Sequence, residues 1–145
     1  MSSRGHETLD HTADMGIRGW GASASEAFEE TAAAMFELIL DTSVVEASQE
    51  IVIYCEGSEL EYLLVEFLNA IISKSDIEEI AFVSVDIVRM EVVDGKWVIE
   101  AIARGLPRSL VVDGFFTEVK AATYCGVAVR EIVSGAWEAQ CIVDL

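Results

Sequence analysis

Apolar residues recur at helical spacing between about Ala24 and Leu40. Phe28, Ala32, Met35 and Ile39 share one face, while Glu26, Glu29, Glu30 and Glu37 take others, which is the pattern of an amphipathic helix packed on a core. Ser23 and Glu26 precede it with the S-x-x-E spacing of a capping box. A second helix is predicted from the same signal at Ser58 and Glu61. Its broad face carries Leu60, Leu63, Leu64, Phe67, Leu68, Ile71 and Ile72, and it runs to about Ser73 with Lys74 near its C-terminus, where a cation suits the helix dipole.

Elsewhere the period falls to two. Met15–Trp20 alternates as a short strand interrupted by glycines, and Ile51–Cys55 is a β-rich pentad. Val83, Val85 and Ile87, then Trp97, Ile99 and Ala101, flank Asp94-Gly95 as a hairpin would. Val119–Val127 reads as one strand with a glycine near its end, and Trp137–Val143 as a last strand with Asp144 at its tip. Gly105–Phe116, which holds the lone Pro107, reads as an irregular loop and a candidate cover for a site. The sum is an α+β fold: two amphipathic helices packed on a mostly antiparallel β-sheet, one compact domain over residues 1–145.

At 145 residues and 52% hydrophobic positions the chain can bury a core without staples. No apolar run approaches the roughly 20 residues of a membrane span, and Met1–Glu7 lacks a secretory pattern, so the expected location is cytoplasmic. Cys55, Cys125 and Cys141 sit among apolar neighbours without paired spacing, so buried free thiols are expected rather than a zinc site. The net charge of −17, from 26 acids against 9 bases, repels phosphate backbones and disfavours stable nucleic-acid binding. A basic protein or a cation is the better-matched partner.

The chemistry concentrates in Leu9-Asp10-His11-Thr12-Ala13-Asp14-Met15-Gly16, which reads as a constructed acidic turn. Asp10 can stabilise such a turn through main-chain amides, and His11 has only His6 for company. Asp144 lies next to the carboxylate of Leu145. If the Asp10–Asp14 turn meets that end, Asp14, Asp144 and Leu145 form an all-oxygen site, which suits Ca²⁺ or Mg²⁺ rather than zinc. Lys120, one of few lysines, is predicted on the same strand face as Tyr124; it grips a phosphate or a partner carboxylate, or merely neutralises nearby acids. The chain has no G-x-x-x-x-G-K-[ST] loop and no G-x-S-x-G elbow.

Leu9–Gly21 (LDHTADMGIRGWG), Glu26-Ala27-Phe28-Glu29, Met35-Phe36, Thr117–Tyr124 (TEVKAATY) and the terminal Val143-Asp144-Leu145 together resemble the archease family over essentially the whole chain. Cys125 and Ala22 depart from the family pattern. The resemblance implies a small α+β protein that is not itself an enzyme but a protein cofactor of the GTP-dependent RNA-splicing ligase acting on tRNA exons, promoting its histidine–GMP intermediate and multiple turnover. It implies a divalent metal ion, Ca²⁺ first with Mg²⁺ or Mn²⁺ as alternatives, at Asp14, Asp144 and Leu145, with Lys120, Asp14 and Asp144 needed for activation of the partner. An acidic helper would be steered to the ligase's basic channel by complementary potential. Two other classes stay open: a metal-dependent phosphoesterase using Asp10, His11 and Asp14, and a chaperone-like binding module, which needs an exposed apolar patch.

Overall fold

The computed structural model describes residues 4–11 and 14–145; Thr12, Ala13 and the side chain of His11, all in the predicted acidic turn, lie outside the described residues. In chain order the elements are β1 (Gly5–His11), β2 (Asp14–Gly21), α1 (Ala24–Ile39), β3 (Gln49–Gly57), α2 (Leu60–Glu78), β4 (Ile80–Val93), β5 (Lys96–Pro107), β6 (Ala121–Ala122), β7 (Ala128–Val133) and β8 (Ala136–Asp144). Short 3₁₀ turns occupy Thr42–Val44 and Arg108–Leu110. No described helix is long and apolar enough to cross a membrane.

Every strand pairing is antiparallel. One sheet runs β1-β2-β8-β6, with β7 also paired to β8, and a second runs β3-β5-β4. A single apolar cluster joins Ile17, Cys141 and Val143 of the first sheet, Ile53 and Ile99 of the second, and the inner faces of both helices. Phe28 and Phe67 link the helices directly, their ring centroids 6.2 Å apart. The α+β class with two amphipathic helices on antiparallel sheet is the fold that forms.

Helix α1 starts as its sequence directs. The Glu26 amide donates to Ser23 Oγ at 3.1 Å, while the Glu26 carboxylate accepts from the Ala22 amide, one residue earlier than the capping box prescribes. Gly19 of β2 explains the glycine-rich strand. A Cβ there would lie 2.3 Å from the Thr31 nitrogen and 2.6 Å from the Ala27 carbonyl oxygen, so its absence lets the helix backbone rest on the strand. Asp94 and Gly95 both take positive φ, 52° and 81°, as a two-residue hairpin turn of the primed type requires.

Several expectations are corrected. Much of the Asp/His cluster is strand, since Leu9–His11 end β1 and Asp14–Gly16 open β2, and the Thr12-Ala13 part of the expected turn lies outside the described residues. The Ser58/Glu61 box does not form; Glu59 is the N-cap of α2 and makes no side-chain cap bond. That helix continues to Glu78, with Glu79 left-handed at φ 55°, so its last turn carries no base and Lys74 sits short of the end. The single strand expected over Val119–Val127 breaks into β6 and β7 at a turn where Gly126 has φ 65°. Lys120 and Tyr124 therefore share no continuous pleat. Strand β5 takes the first three residues of the expected loop, to Pro107, and the rest is the 3₁₀ turn Arg108–Leu110 followed by irregular chain. Cys55 and Cys141 are buried, but Cys125, in that turn, is exposed.

Candidate functional site

Strands β1, β2, β8 and β6 present their ends together at one edge of the first sheet. His11 pairs with Asp14, Met15 with Val143, and Ala121 with Asp144. Continuing the β2–β8 register by one residue sets Asp14 directly across from Asp144, so residues 130 positions apart in sequence become neighbours. The pleat fixes their direction. Ile17, Gly19, Ala139, Cys141 and Val143 are buried on the core side, so the alternate residues Asp14 and Asp144 lie on the opposite, solvent-side face. Both are partly buried, and Leu145 follows at the exposed tip.

Asp10 is placed differently. It pairs with Met15, which puts its side chain on the other face of the hairpin from Asp14. That separation speaks against a hydrolytic centre in which Asp10 and Asp14 share an ion. Among the described residues, no group of three or more His, Cys, Asp or Glu side chains is gathered as a metal cage. Among the described residues, the carboxylates of Asp14 and Asp144 and the oxygens of Leu145 lie at this edge.

Lys120 is positioned by its main chain. Its amide donates to the Asp144 carbonyl at 2.8 Å, and the Thr123 amide and hydroxyl both donate to the Ile142 carbonyl. Ala122 turns away from β8 between these bonds, and Asn69 of α2 takes both of its polar groups. The Ala122 amide donates to Asn69 Oδ1 at 2.8 Å, and Asn69 Nδ2 donates to the Ala122 carbonyl at 3.1 Å. Asn69 thus acts as a missing strand for the two-residue β6. On the other side of the turn, the Tyr124 hydroxyl donates to Glu66 at 3.0 Å and its ring stands edge-on to Tyr62, 5.5 Å between centroids. None of these contacts was anticipated; the one sequence signal was a polar Asn69 beside the apolar stripe of α2.

The bases reinforce the distinction of Lys120. Arg4, Arg18, Arg89, Lys96, Arg104, Arg108 and Arg130 each have a carboxylate within 4.0 Å. Among the described residues Lys74 and Lys120 do not, and Lys120 is the exposed one of the two. It is free to meet an anion from outside, which a lysine spent on neutralising neighbours is not. His6, by contrast, is bound within the fold, its Nδ1 2.7 Å from Glu30 and its Nε2 2.5 Å from Glu37. Burial pulls its pKa down, but those two carboxylates outweigh burial and raise it. His6 ties edge strand β1 to α1.

Residues 6–145 match the model of the Archease protein family. The chain is 37% identical over 139 residues to a protein archease of Pyrococcus furiosus, covering 96% of this chain and 97% of that one. It is also 37% identical to a protein archease of Methanosarcina barkeri over the full length of both. Among solved structures, protein 1598 of Methanobacterium thermoautotrophicum superposes with a TM-score of 0.81 at 28% identity, over 97% of this chain and 99% of that one. An archease of Thermotoga maritima, described as a possible chaperone, shares the fold at a TM-score of 0.59 and 18% identity, over 96% of each chain.

Proposed function

The chain belongs to the archease family, and from that premise we propose that it activates the GTP-dependent RNA-splicing ligase. It promotes formation of the ligase's histidine–GMP intermediate and repeated turnover in tRNA exon ligation. The observation that carries this reading is the register that opposes Asp14 and Asp144 at one sheet edge, with Lys120, which has no carboxylate at ion-pair distance among the described residues, immediately before the adjoining strand β6. An acidic helper of net charge −17 is drawn to a partner that handles RNA and GTP phosphates through its own basic channel.

Asp14, Asp144 and a Leu145 oxygen would hold a divalent ion, Ca²⁺ or, in its place, Mg²⁺ or Mn²⁺. The donors fit: all are oxygens, and they provide three of the six to eight that calcium takes, leaving the remainder to water or to a partner's phosphate. Bound there, the ion supplies positive charge beside a nucleotide phosphate. The chain's own residues do the rest. The paired carboxylates set where that charge sits, and Lys120, fixed by Asn69 and β8, presents its ammonium to a phosphate or an acidic ligase side chain.

The test is guanylylation of the purified cognate ligase with labelled GTP, with and without this protein. Wild type should accelerate label transfer. Asp14→Lys and Lys120→Ala should abolish the acceleration while keeping the far-UV circular dichroism of the wild type. Stimulation retained by both variants would refute the assignment.

A further inference from the structure

We propose that a cleft at the C-terminal ends of the two helices docks a basic segment of a partner protein that inserts an aromatic side chain. This site is separate from the paired aspartates and stands or falls without the ligase reading. The cleft, about 400 Å³, lies between the last turns of α1, the second half of α2 and the stretch Phe115–Val119. Buried Phe36, Ile71 and Phe82 line it, and Phe115 and Phe116 stand at its rim. Its volume is within the range of built ligand sites and accommodates one or two side chains.

The cleft is preformed. Phe116 donates its amide to the Ile39 carbonyl at 2.8 Å, Asp41 donates to the Gly114 carbonyl at 2.9 Å, and Phe115 bridges Leu40. With its backbone held by these bonds the segment nonetheless leaves Phe116 65% exposed and Phe115 47%. Ile77, next to the lining Asp76, is exposed as well, as are Leu110 and Val112 on the chain between the lining Arg108 and Phe115. Apolar surface gathered this way marks an interaction site rather than incidental exposure, and a central aromatic pocket is where binding energy concentrates.

Charge selects the occupant. Asp76 and Glu118 line the cleft, Glu78 and Glu79 close the end of α2 beyond Asp76, and Asp41 and Asp113 flank the Asp41–Gly114 bond that holds the Phe115 segment. Against these six acids stand Arg108, already bound to Asp76 at 2.7 Å and to the Ser75 hydroxyl, and the neighbouring Lys74 and Lys120. A second copy of this chain, itself at −17, meets like charge at such a rim, whereas a lysine- or arginine-rich segment meets complementary charge. Aromatic insertion supplies the affinity and the acidic rim the selection.

The test uses two fluorescein-labelled twelve-residue Lys/Ala peptides that differ at one central position, phenylalanine or alanine, titrated onto the full chain by anisotropy. Wild type should bind the phenylalanine peptide about tenfold or more tighter, as burial of one aromatic side chain dictates. That ratio should collapse toward one in a Phe115→Ser/Phe116→Ser variant whose thermal midpoint is checked beforehand. Equal affinity of wild type for the two peptides overturns the proposal on its own, whether or not the variant folds. So does a ratio preserved in the folded variant, or a sedimentation-detected dimer of wild type that the variant lacks, since the cleft would then hold a second copy.

Discussion

Replacing Asn69 by alanine should cost stability and disorder β6, the short strand that follows Lys120. Strand β8 takes the amides of Lys120 and Thr123, so the Ala122 amide and carbonyl point away from it, and Asn69 satisfies both at 2.8 and 3.1 Å. Ala122 is buried, so water does not readily replace the lost partner. Two net hydrogen bonds at about 1 kcal/mol each give a loss of about 2 kcal/mol, or roughly 4–8 °C in thermal midpoint for a chain of this size. Asn69→Asp keeps an acceptor for the Ala122 amide but sets a carboxylate oxygen against the Ala122 carbonyl, so it should recover little. Thermal unfolding followed by near-UV circular dichroism reads the stability, and hydrogen exchange at the Ala122 amide reads the local effect. Ligase stimulation should fall as well, because Lys120 loses its fixed position. A midpoint within about 1 °C of wild type, with protection of the Ala122 amide unchanged, would refute the idea that α2 holds β6 in place.

Burial alone would lower the His6 pKa and raise that of Glu30, but the hydrogen bonds outweigh it, so His6 is raised and Glu30, bonded to His6 and Arg4, is lowered. The His6 contribution is present below its ordinary value of 6.5 and is lost as pH climbs through the raised value, while that of Glu30 is present above 4.5 and is lost as pH falls through the lowered one. The stability gap between wild type and His6→Ala should therefore be widest between 4.5 and 6.5 and shrink in alkali; denaturant titrations giving a constant gap across this range and up to about pH 9 would contradict it. Gly19→Ala drives a methyl group into helix backbone at 2.3 Å and should cost about 3 kcal/mol in urea unfolding, a loss that a surface glycine such as Gly95, with open space around it, would not share for steric reasons. Of the three thiols, Cys125 alone should react rapidly with a disulfide reagent in the native state, since burial pushes Cys55 and Cys141 up to about 12; rapid labelling of all three without unfolding would refute that.

What could be read from the chain divides along a physical line. Both helices and the Asp94-Gly95 hairpin were legible because their signals are local: a 3.6 period, a cap, a turn that needs positive φ. The last strand was legible too, with Asp144 at its tip. Strand β1 was missed because His6, Glu7, Asp10 and His11 offer little alternation, and its pairing to β2 comes from the hairpin register rather than from burial. The break of Val119–Val127 was hidden because its alternation is genuine in composition, while the turn at Gly126 and the Asn69 clamp depend on contacts from α2 and β8. The cleft is illegible in principle: Ile71 reads as an ordinary core position and Phe116 as the end of an irregular loop, and that they meet around one cavity is decided by where three distant segments come together.

The opposed aspartates make a prediction that separates a cation site from a solvated strand end. Side chains directly across an antiparallel pair stand about 5 Å apart, and like charges so placed are destabilising, by about 0.8 kcal/mol in water at that distance. Lys120, just before β6, is exposed and is not within ion-pair distance of either carboxylate, so among the described residues no base offsets the repulsion. In chelator, Asp144→Asn should therefore unfold slightly above wild type, by roughly 1–3 °C. Adding Ca²⁺ should reverse the order: at about a hundredfold over its dissociation constant a native-state ligand contributes about 2.7 kcal/mol, which lifts wild type by several degrees and leaves the variant where it was. Both curves come from differential scanning fluorimetry with chelator and calcium titrations, and require no ligase. A wild-type midpoint insensitive to Ca²⁺, Mg²⁺ and Mn²⁺, or an equal rise in Asp144→Asn, would mean that the two acids face each other without an ion to join them.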